Sequence, residues 1–341
     1  MLKAVLGLLV VTGIVALATP ASAQNPHLVV YKGDRGPGAG KHIVLLAGDH
    51  EYRSEETLPA LARILASHYG FTCSVFFTTD PKTGFIEPGS SHIAGLEALR
   101  TADLLIVFLR FQDFPDAEMQ HIVDYLDRGK PLIGLRTATH AFQIQRPGAT
   151  FLKYTWRGVE GYAGGFGRQI LGETWVSHYG TNHKQSSRLV LAPDRASHPI
   201  LRGVKDVWVQ SGGYTANPME GSVVLARGLV LDGMTPDAAP AKDKEQLPVA
   251  WTRTHRGASG AEGRVFTTTH GASEDLLNEG FRRMLVNAAL WAAGLEASIQ
   301  PTSDINFVGP FRPSGYSFGG FVKGMKPADL AGWVSSIPKG N

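Results

Sequence analysis

Four short runs of apolar residues alternate with helical patterns in the first half of the chain, and this alternation constrains the fold most. The runs span 42–47, 72–78, 104–108 and 132–135. Two stretches among them place apolar residues at helical spacing, over 54–68 and 115–128. Strands that are apolar at nearly every position are typical of a sheet covered on both faces. We therefore predict βαβ units with right-handed crossovers, in a doubly wound, flavodoxin-like α/β fold with a mostly parallel sheet.

Composition predicts how the rest of the chain is organised. Residues 24–40 are polar and glycine-rich, and we expect a linker there before an α/β domain over 41–296. Residues 150–230 are rich in Gly, Trp and Tyr, which predicts an insertion of short strands and long loops near the strand ends. The domain is expected to continue with two strands and a helix, at 249–253, 264–269 and about 275–293. Residues 297–341 show little periodicity, which predicts an extended C-terminal tail laid across the domain through its aromatic residues.

The first 23 residues carry the pattern of a secretory signal peptide. Lys3 precedes an apolar run over 4–18, and Ala21-Ser22-Ala23 has the small-residue spacing of a cleavage site. The run is short and rich in Gly and Ala for a membrane span, and an uncleaved N-terminal anchor is the alternative interpretation. We expect a mature chain that starts at Gln24, is periplasmic or secreted, and has no membrane contact after cleavage.

Charge and cysteine content exclude several classes of function. The formal net charge is +3 and no block of like charges occurs, so neither nucleic acid nor an anionic membrane is an expected partner. Cys73 is the only cysteine and lies in an apolar run, where a buried and unreactive thiol is expected. No glycine-rich phosphate loop follows a strand, and no cofactor is expected. The oligomeric state is left open by the sequence.

Polar side chains follow several of the predicted strands at the point where each strand ends. Because ligands of open parallel sheets bind outside the carboxyl ends of the strands, these side chains are expected to face one crevice. They are Asp49, His50, Glu51, Tyr52 and Arg53 after the first strand, Arg110 and Phe111 after the third, Arg136, Thr137 and His140 after the fourth, and His270 after the late strand.

Several motifs along the chain together resemble the ThuA-like (trehalose utilisation) family. They are His42-Ile-Val-Leu-Leu-Ala-Gly48, Pro131-Leu-Ile-Gly-Leu135, His198-Pro-Ile-Leu-Arg-Gly203, Pro248-Val-Ala-Trp-Thr252, Gly263-Arg-Val-Phe-Thr-Thr-Thr269 and Leu290-Trp-Ala-Ala-Gly294. The resemblance covers roughly residues 41–296, with the motifs in the family's order. It implies a fold like that of class I glutamine amidotransferases and an association with carbohydrate metabolism. Arg136 stands where such a glutaminase carries its nucleophilic cysteine, so no glutaminase activity is expected.

The chain departs from the family pattern at its histidines. Members often place histidines at positions that correspond here to Arg53, Arg136 and Ala272, whereas the nearest histidines of this chain are shifted along the sequence. The departure predicts an exported subgroup whose site is built on arginines.

A carbohydrate site needs hydrogen-bonding groups for hydroxyls and an aromatic face for the C–H side of the ring. We predict that four residues carry protons, namely Asp49, Glu51, His140 and His270. We predict that seven residues bind the substrate, namely His50, Tyr52, Arg53, Arg110, Phe111, Arg136 and Thr137. Trp156 and Trp175 of the insertion are candidates for a stacking wall.

Structural roles are the alternative for each of these residues. Asp49 and Ser54 are also suited to capping the first helix. Glu51 and Arg53 are also suited to a solvated ion pair. Arg136 either binds a ligand or holds the carboxylate of Asp49 or Glu51 in place. Arg110 has the same two alternatives, and a solvated position is its third.

Histidines offer a further alternative, because a buried histidine is often satisfied by its neighbours. His140 and His270 are as well suited to packed, hydrogen-bonded positions as to catalysis. The insertion holds a second cluster that includes Glu173, Trp175, His178 and His183. The five-residue spacing of its two histidines is no zinc signature, and no metal is expected.

Three functions are consistent with these features. The first is an exported enzyme that acts on a small sugar or keto-sugar derivative by acid–base chemistry. The second is a non-catalytic carbohydrate-binding protein that uses the same crevice. The third is a partner-binding protein that uses the C-terminal tail. The first is preferred, with a small-molecule carbohydrate as the ligand.

Overall fold

The computed structural model describes residues 25–338, and the predicted signal peptide lies outside the described residues. The three α-helices of this part are α1 (Ser54–Tyr69), α2 (Asp116–Asp127) and α3 (Glu279–Ala292). The strands are β1 (Leu28–Lys32), β2 (His42–Gly48), β3 (Thr72–Phe77), β4 (Leu104–Leu109), β5 (Leu132–Leu135), β6 (Gly158–Val159), β7 (Tyr162–Ala163), β8 (His178–Tyr179), β9 (Ser186–Leu191), β10 (Trp208–Val209), β11 (Gly213–Tyr214), β12 (Val223–Leu231), β13 (Leu247–Arg256) and β14 (Glu262–Thr268). Within 25–338, no helix is long and apolar enough to cross a membrane.

Ten of these strands form one mixed sheet in the order β1-β3-β2-β4-β5-β14-β13-β12-β9-β10. The pairs from β3 to β14 are parallel, and all the pairs outside this segment are antiparallel. The predicted parallel sheet is therefore correct for the first half of the domain and wrong for the second. The doubly wound, flavodoxin-like arrangement stays a prediction.

Two predictions about the edges of the domain need correction. Residues 28–32, predicted as part of a linker, form the edge strand β1, because Val29 and Tyr31 are buried while the strand pairs with β3. In the predicted insertion, β9 and β12 join the main sheet, since their backbones pair with each other and β12 pairs with β13. The short ribbons β6–β7 and β8–β11 remain outside the sheet.

Alternate side chains of the central strand β2 enter two separate apolar clusters. Ile43 and Leu45 belong to a cluster that also holds side chains of α1 and α3. Val44 and Leu46 belong to a cluster with side chains of α2. The sheet therefore has a packed apolar layer on each face, which agrees with the unbroken apolar runs of its parallel strands.

Two predicted helix starts differ from the structure. The residue that precedes α1 is Arg53, with φ 65°, and Ser54 does not cap the helix. The Ser54 hydroxyl instead accepts a hydrogen bond from the backbone N–H of Asp49 (2.9 Å). The last helix begins at Glu279, where the Asn278 side chain accepts the N–H of Phe281, and a separate 3₁₀ turn covers Ser273–Leu277.

The C-terminal tail packs along α1, as its aromatic residues led us to expect. Residues 54–66 of this helix are all buried. Arg63 donates hydrogen bonds to the carbonyl oxygens of Leu330 (3.0 Å) and Ser335 (2.8 Å). The Tyr31 hydroxyl donates to the same Leu330 carbonyl (2.6 Å), so the tail also reaches the edge strand. A separate part of the tail lies at the carboxyl ends of the strands, where Arg53, which follows β2, donates to the Ser317 carbonyl.

Candidate functional site at the carboxyl ends of the strands

Three turns at the strand ends contain non-glycine residues with positive φ. Arg53 has φ 65°, Phe111 has φ 50° and Arg136 has φ 43°. Such conformations are unfavourable for residues with a Cβ and cluster at functional sites. The strained turns bring the polar residues that follow β2, β4 and β5 to one edge of the sheet.

The Asp49 carboxylate shapes the turn after β2. Its Oδ1 accepts hydrogen bonds from the backbone N–H of Glu51 (2.9 Å) and of Tyr52. Its Oδ2 is buried and has no partner among the described residues. Asp49 therefore stabilises the turn before α1, a role similar to the helix capping given as its structural alternative. Its Oδ2 remains available to a ligand.

Arg136 is a fully buried cation of the site, with no exposed side-chain surface. Its Nη1 donates to the carbonyl oxygens of Gly212 (2.6 Å) and Thr269 (2.8 Å). Its guanidinium carbon lies 3.7 Å from the centre of the Tyr52 ring and 4.8 Å from that of Tyr214. Nε and Nη2 are buried without a partner in the described part of the chain. Arg136 does not hold the carboxylate of Asp49 or Glu51 in an ion pair.

Tyr52 and Glu51 meet a residue that the sequence did not single out, Asn182. The Asn182 amide donates to the Tyr52 hydroxyl (2.8 Å) and lies 3.5 Å from Glu51 Oε1. The Tyr52 hydroxyl also contacts Nε2 of His178 (3.1 Å). Burial raises the pKa of the Glu51 carboxyl above its usual range.

Arg110 is packed rather than solvated. Its Nη1 lies 2.6 Å from Nε2 of His50, and its Nη2 lies 3.7 Å from Glu51 Oε2. The guanidinium lies between the rings of Phe111 (4.9 Å) and Phe318 (4.7 Å). Burial and the neighbouring guanidinium lower the pKa of His50, so its ring is neutral and accepts the hydrogen bond from Arg110.

Arg53 does not take part in the way predicted. It forms no ion pair with the Glu51 carboxylate and contacts Glu55 instead (3.4 Å). It also donates to the backbone carbonyl oxygens of Glu51 (3.1 Å) and Ser317. The fully buried guanidinium of Arg53 ties the turn after β2 to the tail, and its role in substrate binding stays a prediction.

His270 follows β14 and ends a hydrogen-bonded chain that begins at Asp275. The Asp275 carboxylate accepts from the backbone N–H and the hydroxyl of Ser211, and that hydroxyl lies 3.2 Å from Nδ1 of His270. Because the Ser211 proton goes to Asp275, its oxygen accepts from Nδ1–H, and the Nε2 lone pair stays free. Nε2 is buried and has no partner within residues 25–338. Burial and Arg136 lower the pKa of His270 to about 3.

His140 belongs to an aromatic wall, which we define as Phe111, His140, Trp156 and Trp175. The centres of neighbouring rings in this wall lie 4.8 to 5.7 Å apart. Burial and nearby arginines hold the pKa of His140 well below its usual range, so its ring is neutral. Trp156 and Trp175, the two candidates for a stacking wall, are neighbours in the structure, and His140 packs against Trp175.

The strand ends concentrate buried polar atoms without a hydrogen-bond partner. A buried unpartnered polar group costs roughly 1–3 kcal/mol, so native structures keep few of them. Most of those found within residues 25–338 lie at this edge of the sheet, and they include Asp49 Oδ2, His50 Nδ1, Glu51 Oε2, Arg110 Nε, Arg136 Nε and Nη2, Thr137 Oγ1, Trp175 Nε1, Asn182 Oδ1, Thr269 Oγ1 and His270 Nε2. Such a concentration indicates a site for a polar ligand.

Sequence reasoning missed several members of the site. Asn182, Ser211 and Tyr214 come from the β8–β11 ribbon and its flanking loops, and short strands of this kind leave no periodic signal. The sequence predicts Asp275 only as the first residue of the last helix, and Phe318 only as one of the aromatic residues that hold the tail against the domain. Two residues of the second predicted cluster have other contacts. Glu173 lies 3.0 Å from Arg168, and the ring of His183 stacks on that of Tyr316 with their centres 4.4 Å apart.

Two shallow surface cavities, each of about 280 Å³, lie outside the strand-end cluster. One borders the aromatic wall at Trp156 and Arg157. The other lies at the amino ends of the strands, beside Lys41, Asp103 and Gly294. None of the residues lining this second cavity carries a buried unpartnered polar atom, so the strand ends are the stronger candidate. Within 25–338, no group of three or more His, Cys, Asp or Glu residues is placed to hold a metal ion.

The fold and the site together define a mixed α/β protein with a polar site at the carboxyl ends of its parallel strands. A family model described as ThuA, trehalose utilisation, matches residues 43–292. The chain therefore belongs to the ThuA family, which suggests a carbohydrate-related role.

Solved structures with low sequence identity are also similar. A ThuA-like protein from Bacteroides uniformis is 14% identical, with 83% of this chain and 99% of that chain covered and a TM-score of 0.46. A ThuA-like protein from Parabacteroides merdae is 11% identical, with coverages of 82% and 95% and a TM-score of 0.45. No curated protein matches the chain.

Proposed function

We propose that this protein is an exported ThuA-family enzyme that acts on a small sugar or keto-sugar derivative by acid–base chemistry at its strand-end site. The observation that carries the proposal is the concentration of buried, unpartnered polar atoms beside the aromatic wall. Sugars present hydroxyls around a ring edge and C–H groups on a ring face. A polar cluster next to aromatic faces matches both surfaces.

The proton acceptor of the proposed reaction is His270. Its neutral ring has a free Nε2, and the Ser211–Asp275 chain fixes Nδ1 as the protonated nitrogen. Glu51, whose pKa is raised by burial, is the second proton carrier. Burial favours the neutral form of both groups, so the His270 ring is a free base and the Glu51 carboxyl holds a proton more strongly than an exposed carboxyl does.

The other predicted carriers have supporting roles in this proposal. Asp49 holds the turn that places Glu51, and His140 packs in the aromatic wall. Arg136 supplies a buried positive charge that favours negative charge developing on the substrate. Thr137 offers a hydroxyl, and Arg110 with His50 borders the site on the side of the tail.

The proposed location is the periplasm or the exterior of the cell. It rests on the basic residue, apolar run and small-residue cleavage pattern of residues 1–23. The proposed partner is a small carbohydrate, and neither nucleic acid nor membrane is included, because the chain has no block of like charges.

Solvent deuterium exchange tests the reaction directly. The mature protein is incubated in D₂O with a panel of keto-sugars, and proton NMR follows the C–H groups next to the carbonyl. An acid–base enzyme removes such a proton and returns a deuteron, so its signal disappears. The proposal predicts this loss with the wild-type protein and a large reduction with His270→Ala.

The same samples separate the alternatives. Saturable binding of a sugar with no exchange and no new product would support the non-catalytic carbohydrate-binding protein. Absence of both binding and turnover across the panel would overturn the proposal. The matched control is Arg256→Met, an exposed position on β13 that is remote from the strand ends, which should exchange at the wild-type rate.

A further inference from the structure

The free edge of the Arg136 guanidinium has the geometry that binds a carboxylate. A guanidinium presents parallel N–H groups in pairs, and one such pair is Nε–H with one N–H of Nη2. In Arg136 these two nitrogens are buried and have no partner among the described residues, while Nη1 is occupied by the carbonyls of Gly212 and Thr269. The unpartnered atoms therefore form a complete bidentate fork.

The charge of Arg136 is also unpaired. No carboxylate oxygen within residues 25–338 lies in ion-pair distance of its guanidinium, and its other close neighbours are carbonyl oxygens and the rings of Tyr52 and Tyr214. Burying a cation without an anion in ion-pair contact is costly, and a hydroxyl ligand would bring no negative charge to it. A carboxylate satisfies both N–H groups and the charge at once.

The carboxylates of the protein that lie nearest have other partners. Asp275 accepts hydrogen bonds from the hydroxyl and N–H of Ser211 and from the backbone N–H groups of Gly271 and Ala272. Glu51 lies beside Arg110, at 3.7 Å. Neither side chain occupies the fork of Arg136, which leaves the fork to a ligand.

We propose that the ligand of the strand-end site is a sugar acid, a uronate or aldonate, whose carboxylate is bound by Nε and Nη2 of Arg136. This inference rests on the proposed carbohydrate function and adds the chemical class of the substrate. Thr137, with its buried free hydroxyl directly after Arg136, is the neighbouring donor for the same end of the ligand.

Calorimetric titration of the unmutated mature protein tests the inference with matched ligands. The acids are D-glucuronate, D-galacturonate and D-gluconate, and the neutral partners are D-glucuronamide, D-galactose and D-glucitol, all at equal ionic strength. We expect at least one acid to bind about tenfold or more tightly than its neutral partner, because the amide cannot compensate the buried charge. Equal affinity for the acid and the neutral ligand in every pair would overturn the inference.

Two variants test whether Arg136 causes the preference for the acid over its neutral partner. Arg136→Lys retains the charge but loses the fork, so it should lose most of the preference for the acid. Arg256→Met removes one exposed arginine and should keep the preference unchanged. If Arg136→Lys fails to fold, the comparison of acid with amide on the wild-type protein decides the question alone.

The outcomes separate this inference from the proposed function. Binding of neutral sugars alone would overturn the sugar-acid inference and leave the carbohydrate function standing. Binding of simple carboxylates such as malonate, with no sugar bound, would overturn the carbohydrate function and with it the sugar part of the inference. No binding by any acid or sugar would overturn both.

Discussion

The guanidinium carbon of Arg136 lies 3.7 Å from the centre of the Tyr52 ring, while the hydroxyl of the same ring contacts Asn182 and His178. Tyr52 follows β2, Arg136 follows β5, His178 lies in β8, and Asn182 lies in the loop after β8. One aromatic side chain thus joins three separate segments of the chain. The arrangement compensates in part for the buried cation and fixes the edge of the sheet where we place the site.

Replacing Tyr52 tests how much this ring contributes. Tyr52→Phe keeps the ring over Arg136 and loses only the hydroxyl contacts, so the free energy of unfolding should fall by about 1 kcal/mol. Tyr52→Leu also loses the cation–π contact and should cost about 1–2 kcal/mol more. Urea unfolding of both variants measures the difference. Equal losses in the two variants would mean that the ring does not stabilise the cation.

Breaking the chain from Asp275 to His270 should reduce catalysis more than stability or binding. Ser211→Ala frees Nδ1 of His270 from its acceptor, so the ring no longer keeps a fixed protonation pattern. General-base catalysis contributes about 10²- to 10⁴-fold, and the variant should lose a substantial part of that in kcat with little change in KM. Steady-state kinetics, with the substrate identified by deuterium exchange, measures the effects on kcat and KM separately. A rise in KM with unchanged kcat would assign Ser211 to binding instead.

The tail should divide into a part that stabilises the fold and a part that borders the ligand. Phe318 is 61% exposed and packs on Arg110 and His50, so Phe318→Ala should weaken ligand binding while unfolding energy stays within about 0.5 kcal/mol. Arg63→Met should do the reverse, with about 3 kcal/mol of stability lost, because the buried Leu330 carbonyl and the part-buried Ser335 carbonyl lose a charged donor. Denaturation and ligand titration of both variants check the prediction. Similar effects of the two variants on binding would contradict it.

Acid should destabilise the protein through histidines that are buried in neutral form. The pKa of His270 is lowered from 6.5 to about 3, so below pH 6.5 the unfolded chain binds a proton that the folded protein excludes. The stability due to this group is therefore complete above about pH 6.5 and is lost as the pH falls towards about 3. His270→Asn should reduce the dependence of unfolding free energy on pH by about 1.4 kcal/mol per pH unit in this window. Urea titrations at several pH values test this, and an unchanged slope would contradict it.

Strands β2 to β5 and helices α1 and α2 could be predicted because each carries a local signal. Continuous apolar runs marked β2, β4 and β5, and the polar residues that follow them do meet at one edge. Arg136 was predicted at that edge on the strength of its position directly after an apolar strand. Its burial and its contacts with Tyr52 and Tyr214 depend on packing between distant segments, which no local pattern encodes.

Other features could not be predicted for related reasons. Strands β9 and β12 alternate or mix polar and apolar residues, so the sequence did not distinguish an extension of the sheet from an insertion. The contact between Arg53 and the tail could not be predicted, because only the folded tail brings the Ser317 carbonyl to its guanidinium. Long-range contacts of the tail were the least accessible, since residues 297–338 have almost no periodicity.

A crystal structure of the protein with a bound sugar or sugar acid tests the central claim most directly. The account predicts that the ligand lies at the carboxyl ends of β2, β5 and β14, hydrogen-bonded to Arg136 and His270, with a ring face against Trp175. A ligand found only in the cavity beside Lys41 and Gly294, at the amino ends of the strands, would contradict it.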